Sequence, residues 1–160
     1  MEHPNANEVM SKHLITIGYE DALEAAYEKM QNKRIRHLAV ADEFGAVIGV
    51  ISDRDIQRAM KPKKNKYDME YTFDSKHRVK DYMSFPALQV RADVQVAEIV
   101  ERMLKEKVSA FLVTERHTPV GIVTTDDLLK LLGRILQEDG PSGKMKFSLG
   151  ELIFGDYGGV

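Results

Sequence analysis

Gly49-Val50-Ile51-Ser52-Asp53-Arg54-Asp55 and Gly121-Ile122-Val123-Thr124-Thr125-Asp126-Asp127 are two copies of one pattern: a glycine, two apolar residues, a hydroxyl residue and, three positions later, an aspartate. Each copy joins an apolar, β-branched run to a segment of helical spacing, and so reads as a buried strand feeding a helix N-terminus. Two physical readings fit that junction. In one, Ser52 and Thr124 cap the helices and the aspartates are favoured by the helix dipole, although the reciprocal capping box prefers the longer Glu or Gln at that place. In the other, unpaired N–H groups at the helix start and the hydroxyl take a phosphate, while the aspartate one turn on accepts the two hydroxyls of a ribose.

The repetition extends outward from the junctions. Val9-Met10-Ser11 aligns with Tyr82-Met83-Ser84, and the same offset lays Leu14-Ile15-Thr16-Ile17 on Ala87-Leu88-Gln89-Val90. Leu23, Ala26, Tyr27 and Met30, and then Val96, Ile99, Val100, Met103 and Leu104, fall at helical spacing and predict one buried stripe per helix. Asp93 is the expected N-cap of the second of these helices, and Glu20-Asp21 the acid at the first turn of the first. Strand pairs follow, His37–Val40 with Val47–Ile51 and Phe111–Val113 with Val120–Val123, each joined by turn chemistry at Asp42–Gly45 and Glu115–Thr118. Second helices are expected over Asp53–Met60 and Asp126–Gln137, the latter with Leu128, Leu129, Leu131, Leu132, Ile135 and Leu136 on a wide apolar face.

The order in each half is therefore strand, helix, strand, strand, helix, an α+β (α/β) unit. A unit of about fifty residues buries too little surface to be comfortable alone, which predicts two halves packed sheet to sheet. The expected boundaries are residues 1–61 for the first repeat, 62–78 for an exposed linker rich in lysine, 79–136 for the second repeat and 137–160 for a tail. That tail breaks at Gly140, Pro141 and Gly143 and turns apolar again at Phe147–Leu149 and Leu152–Phe154.

Of the 160 residues, 43% are hydrophobic and 30% charged, enough apolar material for a core under a solvated surface. A formal charge of -2 provides no field for a polyanion, so nucleic acid is a poor partner despite the lysines between Lys61 and Lys66. The absence of cysteine excludes disulfides and thiol chemistry. No apolar run is long enough to span a bilayer and Met1–Asn5 lacks the order of a secretion signal, so the expectation is a cytoplasmic chain with no membrane partner. The five histidines show no paired metal-ligand spacing, and neither a phosphate loop nor a nucleophile elbow is present. The residues thus point to a binding module and not to an enzyme, with no catalytic residue, catalytic cofactor or metal expected.

The doubled junction, each copy following a helix and a strand pair and preceded by Val-Met-Ser or Tyr-Met-Ser, resembles the tandem CBS domains named after cystathionine β-synthase, over about residues 6 to 136. The resemblance implies two β-α-β-β-α repeats in a pseudo-twofold pair, two clefts between the sheets, and a homodimer of such pairs. It implies an adenosine-containing effector, AMP, ADP, ATP or S-adenosylmethionine, and a signal passed in trans to a protein partner. By position, Asp55 and Asp127 would hold ribose; Ser52, Arg54, Arg36, His37 and Thr124 would lie by phosphate or ribose. Thr16, Ile17, Gln89, Val90 and the strand starts near His37 and Ala110 would line the adenine pocket.

The two clefts are expected to differ. Arg34, Arg36, His37 and Arg54 cluster in the first half, where the second has Lys107, Ser109, Ala110 and Asp126. Arginine matches phosphate oxygens and an aspartate repels them, so the first cleft is the expected anion site. The order Arg36-His37 leaves open which of the two faces a ligand. A ligand-free scaffold for dimerisation or protein interaction is the alternative function.

Overall fold

Alternation along the strands explains how each half is layered. In the computed structural model, which describes residues 3–64 and 69–138, Leu38, Val40 and Ile51 of the first sheet turn to one side, where they pack with Leu23, Ala26, Met30, Ile56 and Ala59 of two helices. Ala39 and Val50, the alternate residues, turn to the other side and pack with Leu112 and Ile122 of the second sheet. The two sheets therefore face each other, with the two helices of the first half on the far side of theirs. Each fully buried Leu, Ile or Met contributes about 1.5–3 kcal/mol relative to exposure.

The first half comprises a short helix α1 (Ala6–Val9), β1 (Thr16–Gly18), α2 (Leu23–Lys33), β2 (His37–Ala41), β3 (Val47–Ser52) and α3 (Asp53–Ala59). Two strands, β4 (Lys61–Lys64) and β5 (Met69–Thr72), follow, and then a 3-10 turn at Val79–Asp81. The second half holds β6 (Gln89–Arg91), α4 (Val96–Glu106), β7 (Ala110–Glu115), β8 (Thr118–Thr124) and α5 (Thr125–Glu138). Each three-stranded sheet is mixed: β1 runs parallel to β2, β2 antiparallel to β3, and β6, β7 and β8 repeat the arrangement. The chain divides into a compact unit up to Leu128, which contains both sheets, and a second from Leu129, described through Glu138. The tail from residue 139, including the apolar stretches near Phe147 and Leu152, lies outside the described residues, as does Lys66.

Both expected hairpins form. Asp42 Oδ1 accepts from Phe44 N (2.9 Å) and Ala46 N (2.8 Å) across a turn whose Gly45 sits at φ 83°. The shorter second turn places Arg116 (φ 47°) and His117 (φ 68°) both in the left-handed region, as a tight two-residue hairpin requires.

Several expectations are corrected. The first strands begin two residues later than the apolar runs suggested, at Thr16 and Gln89. The N-cap of α4 is Gln95, without a side-chain bond, because the Asp93 carboxylate is taken by Arg91. Asp21 precedes α2 and instead accepts from Gly18 N at 2.9 Å, leaving Glu24 as the acid of the first turn. The linker is not featureless: β4 and β5 pair antiparallel, and Phe73 beyond them packs on the first core, its ring 5.6 Å from that of Tyr27. In α4 the core takes Ile99 and Met103, while Val100 and Leu104 are exposed. Val100 is the counterpart of Tyr27, and Phe73 covers only the latter. On α5, Leu129, Leu132 and Leu136 are exposed, so the apolar face is broader than its burial.

The leading segments are exchanged between halves. Residues before β1 bond to the second half, through Ala6 N to Val94 O (2.8 Å), Asn7 N to Ala92 O (3.0 Å) and Ser11 N to Ile122 O (2.9 Å). Residues before β6 bond reciprocally to the first, through Lys80 N to Tyr19 O (2.9 Å) and Ser84 N to Val50 O (2.8 Å). This exchange explains the glycine of the repeated pattern. A Cβ at Gly121 would lie 2.5 Å from Met10 Sδ and 2.9 Å from Ser11 O, and one at Gly49 would lie 2.8 Å from Ser84 O. Only glycine lets the Met-Ser segment of one half lie against the strand of the other.

Candidate functional site

The first junction closes as a capping box, although aspartate is the shorter residue for that role, and the second shows the same bonds from its hydroxyl residue to its aspartate. Asp55 Oδ2 accepts from Ser52 N (2.8 Å) and Ser52 Oγ (2.6 Å), and Ser52 Oγ accepts from Asp55 N (3.3 Å). Thr124 N and Oγ1 donate to Asp127 Oδ2 at 2.9 and 2.7 Å. The hydroxyls expected to donate to a phosphate are thus bonded to the aspartates, and each aspartate has one oxygen engaged in its own box.

Around Asp55 both halves converge on a cavity of about 360 Å3, within the range of small-molecule sites. The first half contributes His37, Val50, Ser52, Arg54, Asp55 and Arg58; the second contributes Ser84, Leu88 and the segment Lys107–Ala110. His37 is buried, with Nε2 2.8 Å from Ser109 Oγ, and burial pushes its imidazole below the ordinary histidine value. Asp55 Oδ1 forms an ion pair with Arg58. The cavity is thus apolar at Val50, Leu88, Val108 and Ala110, with Arg54, Arg58 and Lys107 as cations and Asp55 as the acid.

The matching residues of the second junction meet their own chain. Ser11 Oγ donates to Asp127 Oδ1 at 3.3 Å, and Asp127 is buried. Arg36 reaches across the halves to Asp126, with Nη2–Oδ1 at 2.5 Å and Nε–Oδ2 at 3.2 Å, and Nη2 also lies 3.4 Å from Thr125 Oγ1. The hydrogen bonds that Arg36 donates to Asp126 raise its pKa and keep the guanidinium charged.

The structure brings some of the expected site residues together and separates others. His37, Ser52, Arg54, Asp55 and Ala110 share the Asp55 cavity. Arg36 does not join them: its backbone oxygen accepts from Asp53 N (2.9 Å), while its side chain is turned to Asp126, whose charge opposes its own. Of the order Arg36-His37, it is His37 that faces the cavity. Thr16, Ile17 and Val90 are not among the cavity's lining residues; Ile17 lies in the core of the first half and Val90 is buried in β6. Lys107 and Ser109, read as second-cleft residues, belong to the Asp55 cavity. Ser84, Leu88 and Arg58 were missed. The Tyr82-Met83-Ser84 repeat was the available signal for Ser84, and the helical i,i+3 spacing from Asp55 was that for Arg58.

A larger and more open concavity, about 900 Å3, lies by the β7–β8 hairpin between Arg91 and His117. It contains neither junction. No group of three or more His, Cys, Asp or Glu able to hold a metal occurs among the described residues, and no described helix is long and apolar enough to cross a membrane.

The model of the CBS domain family matches residues 6–62 and 79–134. The chain belongs to that family. A CBS domain-containing protein of Dictyostelium discoideum is 29% identical over 139 residues, covering 84% of this chain and 94% of its own. Inosine-5′-monophosphate dehydrogenase of Methanocaldococcus jannaschii is 29% identical over 126 residues, 78% of this chain. The chain spans only 23% of that dehydrogenase, and about a quarter of several other curated relatives. Among solved structures, the CBS domain pair of a protein in complex with 5′-methylthioadenosine and S-adenosyl-L-methionine superposes with a TM-score of 0.68 at 23% identity, over 84% of this chain and 99% of that one.

Proposed function

We propose that this CBS pair is a regulatory module that binds an adenosine-containing ligand, AMP, ADP, ATP or S-adenosylmethionine, in the Asp55 cavity and acts on a protein partner in trans, without catalysis of its own. The observation that carries the reading is the cavity itself, assembled from both repeats around Asp55. A ligand there touches both halves at once, so its binding energy depends on their relative placement, which is the requirement for shifting a conformational equilibrium. Val50, Leu88, Val108 and Ala110 suit an adenine ring, Asp55 suits ribose hydroxyls, and Arg54, Arg58 and Lys107 suit phosphate. The solved CBS pair with 5′-methylthioadenosine and S-adenosyl-L-methionine supports an adenosyl ligand by analogy.

Thermal unfolding with AMP, ADP, ATP and S-adenosylmethionine tests this. A ligand at about 100 times its Kd adds roughly 2.7 kcal/mol, a shift of several degrees for a chain of this size. The shift is expected in the wild type and in Asp127→Ala and is lost in Asp55→Ala. A second reading, a ligand-free interaction scaffold, is favoured at the Asp127 junction, where Ser11 and Arg36 already engage Asp127 and Asp126. No shift with any of the four ligands would extend that reading to the whole chain.

A further inference from the structure

The Asp55 cavity holds an ion pair between two of its own lining residues, Asp55 and Arg58. Asp55 Oδ2 is committed to Ser52, and Oδ1 is paired with Arg58, one helical turn along. The two partners differ in setting: the Asp55 side chain is 15% exposed, that of Arg58 69%. Arg58 is therefore the movable member, and both residues line the same cavity as Arg54 and Lys107. Neither Arg54 nor Lys107 forms an ion pair among the described residues, so the cavity carries an excess of positive charge around one acid.

A ribose that uses Asp55 needs Oδ1, the oxygen that Arg58 occupies. Displacing Arg58 leaves a guanidinium beside two further cations at the cavity wall. A ligand phosphate restores its partner with bidentate, charge-assisted hydrogen bonds. An uncharged ligand does not.

We propose that Arg58 is the specificity-determining residue of the Asp55 cavity, exchanging Asp55 for a ligand phosphate when ribose binds, so that the cavity selects phosphate-bearing adenosine compounds over uncharged ones. This rests on the reading of the cavity as the adenosyl site. It goes beyond that reading by assigning the choice between phosphate-bearing and uncharged adenosine compounds to one side chain.

The test is isothermal titration of the full chain with AMP and with 5′-methylthioadenosine, which share adenosine and differ at the 5′ position. Wild type, Arg58→Gln, Arg58→Lys and Asp55→Asn are compared, with circular dichroism confirming that each variant is folded. The wild type is expected to bind AMP at least about tenfold more tightly than 5′-methylthioadenosine. In Arg58→Gln that ratio falls to within about threefold, through weaker AMP binding together with unchanged or tighter 5′-methylthioadenosine binding, since Asp55 is freed; Arg58→Lys keeps part of the preference. A ratio unchanged in Arg58→Gln, or an equal loss for both ligands, overturns the proposal while binding abolished in Asp55→Asn upholds the site. Absence of binding by either ligand, or full binding in Asp55→Asn, overturns the site reading and this proposal with it.

Discussion

His37 opens β2 with a buried imidazole, its Nε2 held against Ser109 Oγ of the other repeat. Burial is the main cause of its lowered pKa, and Arg36 adds to it, while Asp53, Asp126 and Asp55 oppose. The unfolded chain protonates this side chain at its ordinary value of about 6.5, whereas the folded chain does so only at lower pH. The stability that His37 contributes is therefore complete above about pH 6.5 and is lost as pH falls from there through the lowered folded value. Melting temperatures at pH 7.5 and 5.5 check this. The wild type is expected to lose more stability on acidification than His37→Gln, which retains a partner for Ser109, and equal losses would contradict it. At this scale the Ser52-to-Asp55 spacing was legible from sequence because capping is local. The direction of Arg36 was not, since its partner Asp126 lies ninety residues away.

Strand-to-helix order and both hairpins could be read from apolar periodicity and turn residues, because each depends on a few neighbouring positions. The glycines of the repeated pattern could not. Nothing near Gly49 or Gly121 in sequence demands glycine; the demand comes from Ser84 and Ser11, delivered by the opposite repeat. Gly121→Ala is expected to destabilise by about 1–3 kcal/mol, the usual cost of overpacking. Gly49→Ala is expected to do the same. The backbone oxygen of Ser11 cannot retreat without breaking its paired bonds with Ile122, at 2.9 and 3.1 Å. Urea unfolding measures the change. A neutral effect at both sites would mean that the Met-Ser segments do not lie against these strands. The missed linker hairpin has a related cause: Lys61–Lys64 are polar, and β4 finds its partner only when β5 returns beside it.

At the scale of the molecule, the repeats are alike in topology and unlike in surface. Phe73 covers the Tyr27 row of α2, whereas the matching row of α4 leaves Leu104 65% exposed and Val100 exposed beside it. Leu129, Leu132 and Leu136 of α5 are exposed as well. Exposed apolar groups at helical spacing on a charged chain favour association, and we propose a homodimer that uses the exposed Val100 and Leu104 row of α4. Sedimentation velocity is expected to show a dimer for the wild type and a dissociation constant at least about tenfold weaker for Leu104→Glu, with the melting temperature of the monomer little changed. A wild-type monomer at all concentrations would contradict this.

What the sequence determined by itself was the duplicated β-α-β-β-α unit, its capped junctions and the need of each half for the other, because burial periodicity, turn residues and caps act over a few residues. Tertiary structure decided which side chains share a cleft. The leading segments cross between repeats, so the Asp55 cavity draws Ser84, Leu88 and Lys107–Ala110 from the second repeat, while Arg36 crosses to Asp126. Those choices are made by two sheets packing face to face, where partners are set by distance in space and the sequence separation carries no weight.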